Sequence, residues 1–479
     1  MTGATQVEAD VKRRSRTFVA MLALGGWLLA GASVVKDPVT PFAVPDAPLP
    51  PYLIPQTLPP FGTTITRITG DPGTAIPVIG GTWGADARHH YSKDEPWNAD
   101  QTLIALQNAG PGGFPKRLYL DSKTYQPRYA PCPNYHVGDD RWHPLRTHAN
   151  ERINVDGTHL EWFDVTTCKE TRSWTLPLAA DYFGMTEGNP SFDGRFVVLG
   201  DATRMFVVDM DPQPPERPYP APRIGPVVSL NACGLPKCKA TWLSISPSGK
   251  YAVVHYPGEA IQVWDVDPVT LALMPRAITQ FYDGCRGSPA KGFIYSLGHA
   301  DMTLNPFDHD EDVVVGQEKC GNKGRTMAGK AIGGVVMSRL RDGAMAPLTD
   351  PRNEAYPHHV SARSYDRRGW VYVSYFAERP AKKYNDEVVA VKLDGSGSVE
   401  RLAHQRSLTP HCYRCETHAV PSRDGSRVIF ASDWALNCGG RCGTQAVISG
   451  YVVATGSAGG RSEVGGAAGG RVSSRSLPR

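Results

Sequence analysis

The stretch ETHAVPSRDGSRVIFASDW, residues 416–434, contains one complete copy of a pattern that recurs along the chain. Ser-Arg-Asp-Gly at residues 422–425 has the composition of a tight turn, and Val-Ile-Phe at residues 428–430 has that of a buried strand. Glu416 and His418 stand shortly before the turn. The pattern predicts a strand, a turn and a second strand, with polar side chains where the first strand begins.

Six further segments show the same order of features. They are residues 96–106, 152–165, 189–201, 243–256, 303–317 and 361–376. The seven units repeat on average every ~55 residues, which is the period of propeller blades. Because a single four-stranded sheet cannot bury both of its faces, blades of this kind pack around a central channel. The sequence therefore predicts an all-β chain that forms a seven-bladed β-propeller of four-stranded antiparallel blades. The alternative is a β-sandwich with coincidental Asp-Gly turns, and seven units in the same order disfavour it.

The N-terminus has the features of an export signal. Residues 12–16 are basic, residues 17–29 are mostly apolar, and Ala30, Gly31 and Ala32 are small. This pattern predicts a signal peptide over residues 1–32, cleaved after Ala32. An uncleaved membrane anchor is the alternative, but the apolar run is shorter than the ~20 residues that a membrane span needs. We expect a secreted or periplasmic protein with no stable membrane span after cleavage.

Composition divides the rest of the chain into three parts. Residues 33–63 are rich in proline, which predicts an extended linker or a strap lying on the domain. Residues 64–454 contain the repeats and are predicted to form the propeller. Residues 455–479 are mostly Gly, Ser and Arg and are predicted to be disordered. The net charge of +4 is too small to indicate a nucleic-acid partner. We expect a monomer.

The ten cysteines agree with an oxidising compartment. Their spacing suggests disulfides between neighbours, namely Cys132 with Cys168, Cys233 with Cys238, Cys285 with Cys320, Cys412 with Cys415, and Cys438 with Cys442. A zinc site is the alternative for the last four, because their spacing is that of a zinc ribbon and His411 and His418 lie nearby. Export of the chain favours disulfides.

Histidines precede the turn by some six to ten residues in five of the seven units. The third and fourth units carry Thr186, Glu187 and Trp242 in their place. A single histidine at such a position is most often a hydrogen-bonded structural residue. Five of them converge at one rim of a ring, and neutral imidazoles with a carboxylate are suitable ligands for a divalent cation. We therefore predict a site for Mn, Ca or Zn, with four candidate ligands: His299, His359, Glu416 and His418.

Other polar residues near the same rim suggest catalysis on an acidic substrate. Histidine and tyrosine can exchange protons near neutral pH, and the candidates are His89, His90, Tyr91 and His148. Arginine matches the planar geometry of a carboxylate, and the candidate substrate-binding residues are Arg88, Arg141, Arg146 and Arg363. Together with a metal, these groups suit an acidic polysaccharide or oligosaccharide that is cleaved by β-elimination next to a uronic acid. Because neighbours on a strand face opposite sides, we expect only one of His89 and His90 to point inward.

Four of the segments resemble a known family. GHADM, HHVSARSYDRRGWVYVSYF, ETHAVPSRDGSRVIFASDW and HHYSKDEPWNADQTLIAL are similar to blade motifs of the seven-bladed propeller polysaccharide lyases, typified by oligogalacturonate lyase, with the ulvan lyases as another propeller group. The resemblance implies a manganese ion held by histidines and a glutamine, a separate histidine base and an arginine for the substrate. His299, His359 and His418 resemble the metal-binding histidines, whereas Glu416 stands where an amide is expected.

Two other functions fit the same repeats. A TolB-like periplasmic propeller binds a protein or glycan without catalysis, and it need not gather histidines at one rim. A propeller glycoside hydrolase would need two carboxylates that face each other across the channel. Glu187, Asp301 and Glu416 are the candidates for such a pair.

Overall fold

Strands, nearly all in antiparallel pairs, are the main secondary structure of the chain that the computed structural model describes. The described residues are 34–135, 139–210, 223–235, 237–257, 260–278, 293–295, 297–318, 333–378, 380–407, 412–435 and 447–455, together with the backbone of 326–327 and 330–331. Three 3-10 helices, Arg146–His148, Pro306–Asp308 and Tyr413–Cys415, lie between the strands.

The strands follow one another along the chain with short connections. They are β1 Gln56–Thr57, β2 Thr64–Arg67, β3 Asp86–Arg88, β4 Leu103–Ala109, β5 Arg117–Asp121, β6 Pro127–Tyr129, β7 Asp139–Trp142, β8 Glu151–Asp164, β9 Lys169–Ala180, β10 Phe196–Asp201, β11 Arg204–Asp209, β12 Arg223–Ile224, β13 Val228–Ser229, β14 Trp242–Ile245, β15 Tyr251–Tyr256 and β16 Ala260–Val266. The second half contains β17 Leu273–Pro275, β18 Phe293–Tyr295, β19 Leu297–Asn305, β20 Glu311–Glu318, β21 Thr326–Met327, β22 Lys330–Ala331, β23 Val335–Arg339, β24 Met345–Pro347, β25 Pro357–Ser361, β26 Trp370–Tyr375, β27 Glu387–Lys392, β28 Val399–His404, β29 Val420–Pro421, β30 Arg427–Ser432 and β31 Ile448–Ala454.

Most sheets are formed by strands that are consecutive in sequence. They consist of β7–β9, β10–β13, β14–β18, β25–β28, and β19 and β20 with β23 and β24, while β21 pairs only with β22. One larger sheet contains nine strands from both ends of the domain, β1–β6 and β29–β31. In that sheet, β31 pairs antiparallel with β2, Thr64 opposite Ala454 and Arg67 opposite Tyr451. The two ends of the domain are thereby joined.

The repeated Ser-x-Asp-Gly sequence forms the turn between the first two strands of a sheet. The Ser422 hydroxyl donates to Asp424 at 2.7 Å, and the Gly425 amide donates to the Ser422 carbonyl at 2.8 Å. Gly425 has a φ of 66°, and a side chain there would meet the Tyr372 hydroxyl. Glycine is therefore needed for conformation and for space.

Hydrophobic clusters fill the space between each sheet and the next. Trp162 of β8 packs with Val197 of β10. Each further interface has one cluster with members from both sheets, such as Val207 and Val254, Val263 and Val314, Val315 and Val373, Ala390 and Phe430, Val452 and Leu106, and Tyr119 and Trp142. The chain of interfaces thus returns to its starting point. The all-β class is confirmed, and successive sheets packed in a closed ring are the arrangement of a β-propeller.

Residues 34–55, which precede β1, contain no strand and contact the last two sheets. Arg401, fully buried in β28, donates to the Thr40 carbonyl at 2.7 Å, and its guanidinium stacks 3.8 Å from the Phe42 ring centroid. The Trp434 indole donates to the Ala47 carbonyl at 3.2 Å. These contacts attach the proline-rich segment to the last two sheets.

Three of the expected disulfides are confirmed. They join Cys132 to Cys168, Cys233 to Cys238 and Cys412 to Cys415. The zinc-ribbon alternative is therefore wrong for Cys412 and Cys415, because their sulfurs are bonded to each other. The expected pairs of Cys285 with Cys320 and Cys438 with Cys442, and the nearby His411, lie outside the described residues, as do residues 1–33 and 456–479. Within the described residues, no helix is both long and apolar enough to cross a membrane.

A buried ion pair joins the first two sheets of the chain and generates a stability prediction. Asp140 is 1% exposed and accepts two hydrogen bonds from Arg152, and Arg117 of β5 also donates to it. Burial raises the pKa of Asp140, but the guanidinium groups of Arg117 and Arg152 lower it by more. The pKa of Asp140 therefore lies well below its usual range. We expect Asp140→Asn to lower the free energy of unfolding by about 3–5 kcal/mol at pH 7, because two buried cations lose their partner.

The effect has a defined pH dependence. A carboxyl group with a lowered pKa stabilises the fold above the pKa of an unfolded aspartate, about 3.9, and this stabilisation is lost as pH falls towards the folded pKa. The difference between wild type and Asp140→Asn in urea unfolding should therefore shrink below about pH 4. Asp156→Asn, at an exposed position of β8, is the matched control. An equal loss of unfolding free energy in Asp140→Asn and Asp156→Asn would contradict the prediction.

Candidate metal centre

The histidine-rich segments lie at the starting ends of the first strands of neighbouring sheets. His299 is in β19, His359 is in β25, and His418 stands two residues before β29. Each of these strands is followed by a turn into the second strand of its sheet, so the three starting ends meet at one mouth of the central channel. His359 and His418 are each 1% exposed.

Irregular backbone directs these side chains. His299 and His418 have φ values of 43° and 47°, in the left-handed region. The ladder between β19 and β20 shifts register between Gly298 and Asp301, so His299 lies within a bulge. Residues other than glycine rarely adopt this conformation, and such strained positions are concentrated at functional sites.

Three imidazoles and one carboxylate form a compact cluster. The Nε2 atom of His359 lies 3.0 Å from Oε2 of Glu416, and Nε2 of His418 lies 3.3 Å from the same oxygen. The ring centroids of His359 and His418 are 4.2 Å apart, and those of His299 and His359 are 4.3 Å apart. The structure thus brings together all four residues that the sequence nominates as metal ligands.

His358 also joins the cluster, although it is not among the four ligands predicted from the sequence. The His358 ring centroid is 4.2 Å from that of His359 and 4.9 Å from that of His299, and its Nε2 lies 3.8 Å from Oε1 of Glu416. Adjacent residues of a regular strand would face opposite sides. A register shift between Pro357 and His359 removes that alternation, so both histidines reach the site. The two consecutive histidines, His358 and His359, are the sequence feature that could have identified His358 as a further ligand candidate.

Burial sets the protonation of the cluster. Desolvation lowers the pKa of His359 and of His418 well below the usual range, so both rings are neutral and offer nitrogen lone pairs. Desolvation also raises the pKa of Glu416 to about 7, against the opposing effect of Arg88. The free site thus contains neutral imidazoles around a carboxyl group that has lost much of its hydration.

The donor set fits a divalent cation. His299, His358 and His359 form one potential ligand triad, and His359, Glu416 and His418 form a second, with the ligand atoms of each triad within 4.8 Å of one another. The buried Nδ1 of His359 has no hydrogen-bond partner among the described residues, so this nitrogen is available as a ligand atom. Imidazole nitrogens with one carboxylate suit Mn or Zn better than Ca, which prefers oxygen ligands.

Arg88 and His89 support this cluster from behind. Arg88, 1% exposed, donates through Nη1 to Nδ1 of His418 at 2.9 Å and to the Glu416 carbonyl at 3.1 Å. His89, fully buried, donates through Nε2 to the His418 carbonyl at 2.5 Å. Because arginine can only donate, Nδ1 of His418 is the acceptor and its Nε2 carries the ring proton, which would have to leave Nε2 before that atom could hold a cation. Both residues, nominated for substrate binding and catalysis, hold the backbone of the ligand segment in the structure.

His90 and Tyr91 lie at the accessible side of the cluster. The Tyr91 hydroxyl is 3.3 Å from Nδ1 of His299, and its ring centroid is 4.7 Å from that of His418. Burial raises the pKa of Tyr91 well above its usual range, so the hydroxyl keeps its proton. Nδ1 of His90, a ring that is 28% exposed, donates to Asp94 at 3.3 Å. This bond leaves Nε2 of His90 available as a base.

Asp94 is suited to orient the His90 ring. It is buried, and burial alone raises its pKa, but Arg141 and the hydrogen bond from His90 lower that pKa below its usual range. An ionised carboxylate behind an imidazole fixes the tautomer of the ring and stabilises its protonated form. The expectation that one of the two histidines faces inward agrees with this placement, because His89 is buried and His90 is accessible.

The other nominated residues are engaged elsewhere. Arg363 donates to both oxygens of Asp301 at 2.9 and 2.6 Å. Arg141 donates to Asp139 at 2.7 Å and to three backbone carbonyls. Both guanidinium groups lie inside the channel with their donors used in pairing between neighbouring segments.

Arg146 and His148 lie at the turn end of β7. Arg146 pairs with Asp366 at 2.9 Å, and Nδ1 of His148 lies 3.3 Å from Glu151. The clustered histidines occupy the starting ends of their strands, so these two side chains do not join them. Sequence spacing alone does not distinguish the two ends, because His148 precedes its turn by a similar number of residues.

Lys93 and Glu187 form an ion pair beside the cluster, which the sequence does not predict. The Lys93 ammonium contacts Glu187 and lies 4.4 Å from the Trp242 ring centroid. Although burial raises the pKa of Glu187, Lys93 lowers it below its usual range, and His299 contributes in the same direction. A cavity in the channel is lined by Lys93, Glu187, Asn189, Trp242 and Asp301, among others. Lys93 and Arg363 are the basic side chains that line this cavity.

The chain matches no known protein-family model and no curated protein. Among solved structures it is similar to an oligogalacturonate lyase in complex with manganese and to oligogalacturonate lyase from Vibrio parahaemolyticus, each with a TM-score of 0.48 and 13% identity over 88% of this chain and 98% of that chain. It is also similar to the Swd1 β-propeller domain of Myceliophteria thermophila, with a TM-score of 0.41 and 13% identity over 76% of this chain and 96% of that chain. Likenesses at this level assign neither a family nor an activity to the chain.

Proposed function

We propose that the chain is an exported, metal-dependent polysaccharide lyase that cleaves a uronic-acid-containing glycan by β-elimination. The observation that carries the proposal is the convergence of His299, His359, Glu416 and His418 next to the accessible pair His90 and Tyr91. Metal ligands, a histidine oriented by a carboxylate, and a phenol at one channel mouth are the groups that such an elimination requires.

The substrate carboxylate is neutralised in two ways in this proposal. A divalent cation held by His299, His359, Glu416 and His418 would supply positive charge that acidifies the C–H bond next to the carboxylate. Lys93 supplies a second positive charge from the neighbouring cavity wall. Lys93 is itself paired with Glu187, just as Arg141 and Arg363, for which this role was expected, are paired with Asp139 and Asp301.

His90 and Tyr91 carry the proton transfers. Nε2 of His90 removes the proton next to the substrate carboxylate, and the electrons of that C–H bond form a carbon–carbon double bond. The glycosidic C–O bond on the adjacent carbon then breaks, and the Tyr91 hydroxyl protonates the leaving oxygen. Asp94 stabilises His90 while the ring is protonated. The proton returns from His90 to Tyr91 through solvent, which restores the site.

The carboxylates needed for a glycoside hydrolase are otherwise engaged. Both oxygens of Asp301 accept hydrogen bonds from Arg363, and Glu187 is paired with Lys93. Glu416 lies among the histidines. A pair of free carboxylates facing each other, as hydrolysis requires, is therefore not formed by these three residues.

We further infer that the ring has seven blades. The nine-stranded sheet divides into one blade of β3–β6 and another of β29–β31 with β2, and the five other multistranded sheets supply one blade each. The signal peptide, the secreted or periplasmic location, the acidic glycan partner and the monomeric state remain predictions from the sequence.

Metal binding is the first property to test. Wild-type protein freed of metal with a chelator should bind Mn²⁺ in isothermal titration at pH 7, and His359→Ala should weaken binding by more than ~100-fold, because His359 belongs to both ligand triads. His159→Ala, at an exposed position of β8, is the matched control. Unchanged affinity in His359→Ala, or no binding in wild type, would refute the metal centre.

Lyase activity is tested by ultraviolet absorbance, since elimination creates a conjugated double bond and hydrolysis does not. We expect rising absorbance with a substrate among pectic, ulvan, alginate and glucuronan polysaccharides and oligomers. His90→Ala and Tyr91→Phe should each lower kcat by ~100-fold or more with little change in Mn²⁺ affinity. His159→Ala should retain full activity.

Three outcomes distinguish the functions. Absorbance that rises and depends on His90 and Tyr91 supports the lyase. New reducing ends without absorbance would identify a hydrolase. Glycan binding without cleavage by the metal-loaded protein, across the whole panel, would identify a binding propeller.

A further inference from the structure

A disulfide lies directly before the carboxylate of the candidate metal centre. Cys412 and Cys415 are bonded to each other and enclose the 3-10 helix Tyr413–Cys415. The Cys415 amide donates to the Cys412 carbonyl at 3.0 Å, and the Glu416 amide donates to the Tyr413 carbonyl at 3.2 Å. Glu416 is therefore the first residue after a turn that the disulfide closes.

The turn is anchored to the body of the domain at several points. Cys415 is fully buried and packs with Ala431 and Ile448, and the Ser407 hydroxyl donates to its carbonyl. Arg414 donates to Asp86 at 2.6 Å. These contacts place the closed turn at a defined position beside β3 and β31.

The chain on the other side of Glu416 is held separately. The Thr417 carbonyl accepts from the Ala431 amide at 2.9 Å, and the His418 carbonyl accepts from His89 at 2.5 Å. Glu416 itself is held through its carbonyl by Arg88. The direction of its side chain also depends on the backbone on its N-terminal side, where the disulfide closes a single turn of 3-10 helix.

We propose that the Cys412–Cys415 disulfide positions Glu416, so that the metal centre reaches its full affinity only in the oxidised chain. This inference rests on the proposed metal centre. Reduction by a dithiol transfers two electrons and two protons to the cystine, which becomes two thiols while the reductant becomes a disulfide. The opened turn samples more conformations, and Glu416 must then be ordered as the cation binds. The centre is assembled for cation loading after the chain enters an oxidising compartment.

A second short disulfide provides the control. Cys233 and Cys238 are separated by five positions in sequence and pack in the hydrophobic cluster between β10–β13 and β14–β18. Cys233 and Cys238 make no direct contact with the candidate ligands among the described residues. Removal of the Cys233–Cys238 disulfide therefore tests how much Mn²⁺ affinity is lost when a disulfide away from the ligands is removed.

The experiment measures the Mn²⁺ affinity of the full chain by isothermal titration. We expect Cys412→Ser with Cys415→Ser to weaken binding at least tenfold, and Cys233→Ser with Cys238→Ser to change it less than twofold. Oxidised wild type, and wild type reduced with a dithiol that is then removed without air, should show the same tenfold difference. Equal affinity in the oxidised and reduced states would overturn the inference.

A double-mutant cycle separates positioning from a general loss of structure. In a Glu416→Ala background, removal of the Cys412–Cys415 disulfide should cause no further loss of Mn²⁺ affinity, because the residue that it positions is absent. A further loss in that background would show that the disulfide stabilises the whole site and would also overturn the inference. If oxidised wild type binds no Mn²⁺, the proposed metal centre falls first and this inference with it.

Discussion

Closure of the ring by β31 and β2 is the constraint on which the rest of the structure depends. This pairing joins residues 64–67 to residues 451–454 and completes the series of interfaces between consecutive sheets. In a closed ring, the first strands of the sheets surround one channel, and their starting ends meet at one mouth. Residues that are far apart in sequence, such as Tyr91 and His299, become neighbours for this reason. The candidate site is thus a direct consequence of closure.

Burial then determines what the gathered side chains are able to do. Desolvation keeps His359 and His418 neutral and favours the protonated form of Glu416 in the absence of a cation. Their lone pairs and carboxylate are only weakly solvated, so a cation does not have to displace much water from them. Left-handed backbone at His299 and His418 adds strain that the surrounding hydrogen bonds must offset. Arg88 and His89 supply part of that support.

Arg141 and Arg363 have structural roles and not the substrate-binding roles expected of them. Arg141 and Arg363 lie inside the channel, where an unpaired charge is costly, and aspartates neutralise both. Their pairing connects neighbouring segments of the ring and leaves little capacity for a substrate. Lys93 and Arg363 line the same cavity next to the histidine cluster, and Lys93 is paired there with Glu187.

The repeat period, the Ser-x-Asp-Gly turns and the apolar strands of the sequence determined the all-β class, the succession of sheets and the rim on which His299, His359 and His418 lie. These features are local, so they can be read from residue order. Tertiary structure alone decided that His358 joins the site, that His89 supports it from behind, and that Arg146 and His148 lie at the opposite end of their strand. A bulge reverses the facing of a side chain, and ion-pair partners such as Asp301 and Arg363 stand 62 positions apart. Neither property leaves a periodic signal in the sequence, because both depend on contacts that form only when the ring closes.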